Sequence, residues 1–324
     1  MQRFVIRRLI IMLPMLLGIS LISFLIIKIA PGDPLMALAI APGDDADLSL
    51  EARDHLRRQM GLDQPIHVQY YRWLRQVMGG NLGTSLISSR PVLPLILSRI
   101  PATLTLTGSA MILALCIALP IGIFSAMKQY SLFDYLATIY AFVGLSIPSF
   151  WLGLMLMLVF GVRLGWFPTG GRVSLEAGPG WPTLVSTVRH HVLPVCTLTA
   201  VSLAGWVRYQ RASMLEVISS DYIRTARAKG LAERVVVFKH AWRNALIPII
   251  TFLGFSLTQL INGSYVIEMI FSWPGMGRLG VQAIFSRDYP IIMGVTMLSA
   301  VLLLIGNLLA DIAYAVVDPR IRYD

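Results

Sequence analysis

The sequence predicts an all-α integral membrane protein with six membrane-spanning helices. Three observations carry that expectation. The chain of 324 residues is 56% hydrophobic and only 14% charged, with a mean hydropathy of +0.70. Its apolar residues fall in six uncharged runs of 18 to 28 residues rather than in an alternating pattern. A bilayer core of roughly 30 Å needs about 20 helical residues, and a backbone in lipid must satisfy its own hydrogen bonds, which favours helices. Barrel strands would alternate polar and apolar side chains instead.

The first run, Leu9–Ile27, follows Arg3, Arg7 and Arg8. It is too long for a typical cleaved signal and has no small-residue cleavage site after it, so it reads as a retained first helix within residues 1–30. Residues 31–100 read as a helical external cap. Ser49 can start a helix that Gly61 stops, Pro65 opens a second ending near Met78, and Pro91–Ile100 forms a third, amphipathic piece. The runs Pro101–Met127, Tyr135–Val162, His190–Val207, Ala245–Ile267 and Tyr289–Ala310 then give a five-helix core over 101–317, with a tail at 318–324. The fourth run is the shortest, and Pro194 lies near its start.

Charge sets the orientation. With the N-terminus inside, 14 Lys and Arg face the cytoplasm and 13 face out, but eight of those 13 belong to the long first external segment or its edge. Segments of that length escape the positive-inside rule. Leaving it out gives 14 against 5, so both termini are expected in the cytoplasm. The net charge of +10 then follows from this rule and calls for no nucleic acid.

Several chemistries find no residues to carry them. No Gly-rich phosphate loop ends in Gly-Lys-Ser/Thr, so no ATP site of that type is expected in this chain. No paired-His metal motif and no nucleophile elbow occur. Cys116 and Cys196 fall inside runs and read as packing residues. Adjacent His190 and His191 point apart on a helix, so no metal site and no cofactor are expected here. Charges inside the runs are few: Asp311 near the end of the last, Lys28 at the edge of the first. An ion-coupled carrier or channel would bury more of them along its path, and a membrane-embedded enzyme would cluster catalytic groups around a cavity. A small acid such as Asp311 reads as the partner of a neighbouring helix or of Arg320.

The segment 208–244 is different in kind. It is polar and dense in cations: Arg208, Arg211, Arg224, Arg227, Lys229, Arg234, Lys239 and Arg243, opposed by Glu216, Asp221 and Glu233. Ser219, Ser220 and Asp221 are N-cap types. A helix over Tyr222–Lys229, a left-handed stop at Gly230 and a second helix from Leu231 to Asn244 give a helix, a sharp turn and a helix. Ile223, Ala226 and Leu231 make a small apolar patch rimmed by Arg224, Arg227 and Lys229. Composition leaves open whether that patch fits a groove on another protein or lies on anionic lipid.

The string Asp221–Asn244, DYIRTARAKGLAERVVVFKHAWRN, resembles the permease loop of ATP-binding-cassette importers in the form found in dipeptide and oligopeptide permeases. The general importer motif has Glu-Ala-Ala, three residues and Gly. Here Arg224-Thr225-Ala226 stands for the first triplet and Gly230 keeps its place, while the later Leu-Pro is absent, as in the peptide-type variant. Ala30-Pro31-Gly32-Asp33-Pro34, Gly61-Leu62-Asp63-Gln64-Pro65, Gln69-Tyr70, Gly79-Gly80-Asn81-Leu82-Gly83, Glu268 with Phe271–Arg278, and Asp318–Arg322 are similar to that family's other motifs, in order along the whole chain. The family often has Asp where Asn81 stands.

The resemblance implies a type I importer permease fold in a bacterial inner membrane. It implies partners too: a second homologous permease, two identical or similar ATPase subunits that bind ATP and Mg, an extracytoplasmic substrate-binding protein, and membrane lipid. Asp221, Tyr222, Arg224, Thr225, Ala226, Lys229, Gly230 and Leu231 would couple to the ATPase. Trp273, Pro274, Gly275 and Arg278 would form the external gate and meet the binding protein. Thr251, Phe255, Thr258, Gln259 and Asn262 lie at near-helical spacing and are candidates for a translocation path. Thr103, Thr107 and Ser109 offer a second set, and small polar residues also serve helix packing. The cargo reads as di- or oligopeptides, with nickel, glutathione or an oligosaccharide left open.

Overall fold

The computed structural model describes residues 2–29, 58, 61, 63–174, 178–262 and 264–317. Apart from residue 58, the expected helix from Ser49 to Met60 lies outside the described residues, as does the tail at 318–324. Among those described the chain is helical, with one isolated antiparallel bridge between Thr84 and Pro91.

Helix α1 spans Gln2–Ile29 and α2 spans Ile66–Met78, with Pro65 at its N-cap. Helix α3 runs unbroken over Val92–Met127. The amphipathic piece expected over Pro91–Ile100 is therefore continuous with the helix it leads into, and Pro101 does not interrupt it. Helices α4 (Leu132–Ser146) and α5 (Ser149–Leu156) follow, the latter continuing as a π-helical stretch over Met157–Arg163. Helix α6 covers Trp181–Ile218 and is continuous through Pro194, so the shortest predicted run belongs to a helix of 38 residues. Then come α7 (Asp221–Ala228), a short turn of helix at Glu233–Val235, a π-helical stretch at Val236–Ala241, and α8 (Trp242–Asn262). Helices α9 (Tyr265–Ile270), α10 (Met276–Phe285) and α11 (Tyr289–Val317) complete the described chain.

Two of the six predicted runs contain a break. The run Tyr135–Val162 is a pair of helices bent by 100° at Ile147–Pro148. Ile147 is extended (φ −81°, ψ 123°), as a residue before proline prefers. The run Ala245–Ile267 is divided between α8 and α9. Among the described residues four helices are long and apolar enough to cross a membrane, or five if the bent pair counts as one.

The chain divides into two compact units, Met1–Ala102 with Gly275–Ile305, and Thr103–Pro274 with Gly306–Asp324. In the first, Phe24 on α1 packs against Tyr70 and Trp73 on α2 at ring separations of 5.4 and 6.0 Å, and the hydroxyls of Ser20 and Tyr70 lie 2.8 Å apart. Val92 and Ile96 are buried with Met276, Leu279, Ala283 and Ile291. Gly294 makes that contact possible, because a Cβ there would sit 2.7 Å from Val92 Cγ1. The buried carboxylate of Asp288 accepts from Ser85 Oγ at 2.5 Å and from the Leu86 amide at 3.3 Å, which pins the turn before α3.

In the second unit α6 is the central element, with α4, α5 and α8 packed along it. Phe252 on α8 meets Trp206 edge-on at 4.6 Å and stacks on Tyr209 at 4.4 Å. Gly122 on α3 lets Gln210 approach, since a Cβ would fall 2.6 Å from it.

Candidate functional site

The polar segment after α6 folds as a compact bracket. Ser220 is the N-cap of α7, but its hydroxyl donates back to Val217 O at 2.6 Å and accepts no amide of the new helix. Asp221 supplies negative charge in the first turn, where the helix dipole favours it. At the far end Gly230 has φ +73°. Its amide donates to Arg227 O at 2.9 Å, and the Leu231 amide reaches Ala226 O at 3.4 Å. That pair of bonds is a Schellman cap, which satisfies carbonyls that a helix end otherwise leaves bare. Across the turn, Arg227 holds Glu233 through Nη2–Oε1 at 2.7 Å and Nε–Oε2 at 3.2 Å. The Arg227 hydrogen bonds hold the Glu233 carboxyl below its ordinary pKa, and Glu233 in turn raises that of Arg227.

The apolar patch of α7 faces the chain's own core. Ile223 is 0% exposed and Ala226 8%, packed with Ile123, Ala126, Met214, Val236, Val237, Ala241 and Ala245. The sequence suggests that Ile223 and Ala226 face outward, to a groove on another protein or to anionic lipid. The structure corrects that direction, because the ends of α3 and α6 and the π-helical stretch offer a larger apolar surface at once. What α7 and the turn after it expose is Asp221, Tyr222, Arg224, Thr225, Arg227, Ala228, Lys229, Gly230 and Leu231. Tyr222 OH accepts from Asn244 Nδ2 at 3.1 Å, and Arg224 lies 3.7 Å from Asp221 in an exposed pair.

Beneath this bracket lies an ion pair that the sequence reading missed. The buried Asp134 takes Arg211 Nε and Nη2 at 2.6 and 2.9 Å, the Tyr130 amide at 3.0 Å and the Ser125 hydroxyl. It ties α3, the turn at 128–131 and α6 together. Ser131 is the N-cap of α4 and accepts the Asp134 amide at 3.3 Å. The Ser-x-x-Asp spacing is a capping signature visible in the sequence; the partner 77 residues on is not.

The other candidate elements fall elsewhere in the fold. Trp273 is 0% exposed; its amide donates to Glu268 O at 2.8 Å and its ring meets His191 edge-on at 4.3 Å. Gly275 is buried, while Pro274 and Arg278 are half-buried. Of this expected contact set, Trp273 is enclosed by the chain. Glu268 is also buried and accepts from Thr103 Oγ1 at 2.8 Å. Thr107 Oγ1 donates to Thr103 O and to Leu260 O at the end of α8, and Ser109 Oγ to Leu106 O. These three α3 hydroxyls thus bond to neighbouring groups of the chain. Thr251, Phe255, Thr258, Gln259 and Asn262 lie on α8, and their side chains are outside the described residues.

His190 and His191 bond through Nδ1 to Ser186 O and Thr187 O at 2.7 and 2.8 Å on their own helix. Among the described residues no three His, Cys, Asp or Glu are grouped to hold a metal ion. Asp311 is half-buried on α11, and Arg320 lies outside the described residues.

A multi-pass helical membrane protein with a capped, polar bracket defines the class. The family described as binding-protein-dependent transport system inner membrane component matches residues 118–323, and its N-terminal companion matches residues 1–107. The chain belongs to this family, as a permease of the dipeptide and oligopeptide type of ATP-binding-cassette importer. It is 47% identical over 324 residues, all of both chains, to the oligopeptide transport system permease protein AppB of Bacillus subtilis. It is 41% identical over 323 residues, again all of both, to the glutathione transport system permease protein GsiC of Salmonella paratyphi A. The dipeptide transport system permease protein DppB of Alkalihalophilus pseudofirmus matches at 39% over 338 residues, covering both chains in full.

Proposed function

We propose that this chain is the first of two permease subunits in a bacterial importer that brings di- and oligopeptides into the cytoplasm. The observation that carries the reading is the build of α7. It is anchored inward by Ile223 and Ala226 and stiffened by the Gly230 cap and the Arg227–Glu233 bridge. Its outward face is left polar and cationic. A rigid element attached to the ends of α3, α6 and α8 can transmit a push to them without deforming, which is what rigid-body alternating access needs.

On this reading two separate ATPase subunits bind ATP and Mg and receive α7 in a groove. Asp221, Tyr222, Arg224, Thr225, Lys229, Gly230 and Leu231 make the contact, and Ala226 holds the helix to its support. A substrate-binding protein docks on the external side, around Pro274 and Arg278, over the buried Trp273. The chain carries no ATPase site of its own. The external cap is 31–100, the core 101–317, and both termini are cytoplasmic. The cargo path runs along α8 by Thr251, Phe255, Thr258, Gln259 and Asn262.

Uptake of labelled di-, tri- and pentapeptides by vesicles holding the full complex tests the cargo. Glutathione, itself a short peptide, is the second cargo to try, because the glutathione permease relative, at 41% identity, is no less similar than the dipeptide one, at 39%. Peptide uptake that continues without the ATPase subunits would overturn the mechanism.

A further inference from the structure

Helices α4 and α6 enclose a groove that the transport reading leaves unused. Asp134 meets Arg211 at one end of the pair. Further along, a Cβ at Gly144 would lie 3.1 Å from Ala204 Cβ. The two helices are therefore antiparallel and in close contact through small residues. Beside that contact runs a cavity of about 200 Å³, lined by Ala137, Ala141, Phe142, Leu145, Val207 and Arg208, with Thr138 and Arg211 completing it. Ala141 and Val207 form a buried floor, while Phe142 is 60% exposed.

The groove is amphiphilic along its length. Its charged end is at Arg208 and Arg211, next to the turn at 128–131. Its other end, at Leu145, is wholly apolar. Arg211 is engaged by Asp134. Arg208 is exposed and makes no hydrogen bond or ion pair with the described residues. From Ala137 to Leu145 is about 12 Å of helix at 1.5 Å per residue, close to the depth of one leaflet of a roughly 30 Å hydrocarbon core. The volume is below the roughly 300–1,000 Å³ that encloses a whole small ligand. It is also too narrow for a second helix, whose diameter with side chains is about 10–12 Å. It suits one acyl chain.

We infer that this groove binds an anionic phospholipid of the inner leaflet, with one acyl chain along Ala141 and Leu145 and the headgroup phosphate on Arg208. A basic side chain at headgroup level between transmembrane helices is a recognised form of lipid site. The assignment rests on the proposed orientation, in which Arg208 is on the cytoplasmic side.

The test uses the purified complex of permease and ATPase subunits, equilibrated with mixed phosphatidylglycerol and phosphatidylcholine, and counts retained lipids by native mass spectrometry. The natural chain enriches phosphatidylglycerol. Arg208→Gln lowers that enrichment about fivefold, the effect of one cation near an anionic surface, while Arg208→Lys keeps it. Thr138→Phe, which fills the groove, reduces retention of both lipids. Unchanged enrichment in Arg208→Gln overturns the inference. So does displacement of the lipid by excess inorganic phosphate, which would make this a free-phosphate site. Loss of the second permease, and not of lipid, in Thr138→Phe would make the groove a protein interface and overturn it as well. If Arg208→Gln fails to assemble, Arg208→Lys and Thr138→Phe still decide. Lipid retention needs no transport, so a complex that holds phosphatidylglycerol but imports no peptide sinks the proposed function alone.

Discussion

The bracket around α7 and the turn after α9 are both sharp reversals with a residue in the left-handed region, yet they are built in opposite ways. At the bracket that residue is Gly230, with nothing within 4 Å of where a Cβ would be. At the turn it is Ser272, with φ +49°, between the buried Phe271 and Trp273. Glycine takes that conformation freely, whereas another residue is held there only by its surroundings. The reversal at the bracket is therefore set locally. The turn is determined by what encloses it. The lesson is that a sharp turn on an exposed bracket can be made from local chemistry, while a buried ring such as Trp273 depends on the rest of the chain.

The largest expected effect breaks the enclosed turn. Trp273→Ala removes a fully buried indole and should cost about 3–5 kcal/mol, the usual range for emptying such a site. The complex should then melt well below the natural one in detergent, with transport lost along with the fold. A melting point unchanged within error would show that Trp273 is not a structural wedge.

Next comes the bracket. Gly230→Pro demands φ near −65° where the chain has +73° and removes the amide bonded to Arg227 O. The cost is about 3 kcal/mol or more, confined to the end of an exposed helix. Uptake should fall to background while the chain stays inserted and its melting shifts less than in Trp273→Ala. Normal uptake in this variant removes the coupling role of the bracket. A smaller change, Arg224→Glu combined with Lys229→Glu, alters only exposed charges. Stability should stay within about 0.5 kcal/mol, while stimulation of the ATPase by loaded binding protein should drop. Unchanged stimulation means that these cations do not face the ATPase.

The same contrast explains what the sequence disclosed. The turn at Gly230 is legible because the conformation it marks is set by its own chemistry, and Ser220 takes the N-cap position although its side chain makes no cap bond. The membrane class was legible because hydrophobic length is a sum over residues. The inward turn of Ile223 and Ala226 was not, since a helix of eight residues gives two stripes and only the position of Ile123 and Met214 decides which is covered. The bond between Asp134 and Arg211 was hidden for a like reason: the cap at Ser131 is local, and the partner is brought by packing. The bend at Pro148 could be suspected from the proline. The unbroken α3 could not, because whether Pro101 ends a helix depends on its neighbours. The path residues on α8 were named from spacing alone, and they stand as a proposal.

The smallest effect tests how much the bracket owes to its bridge. Glu233 is held below its ordinary pKa by the Arg227 hydrogen bonds, so the folded chain binds that proton more weakly than the unfolded one. The stabilisation is complete above the ordinary carboxylate value of about 4.3 and is lost as the pH falls through the lower, folded value. Both partners are largely exposed, so solvent screening limits the pair to about 0.2–1 kcal/mol. Glu233→Gln should therefore leave assembly intact near neutral pH and lower ATPase stimulation by no more than a fewfold, with the loss growing less apparent in acid, where the natural chain loses the same bond. The Schellman cap and the Ile223 anchor would then be enough to hold α7 in place. A loss in Glu233→Gln as deep as that in Gly230→Pro would reverse this order, and make the bridge rather than the glycine turn the element that keeps the bracket stiff.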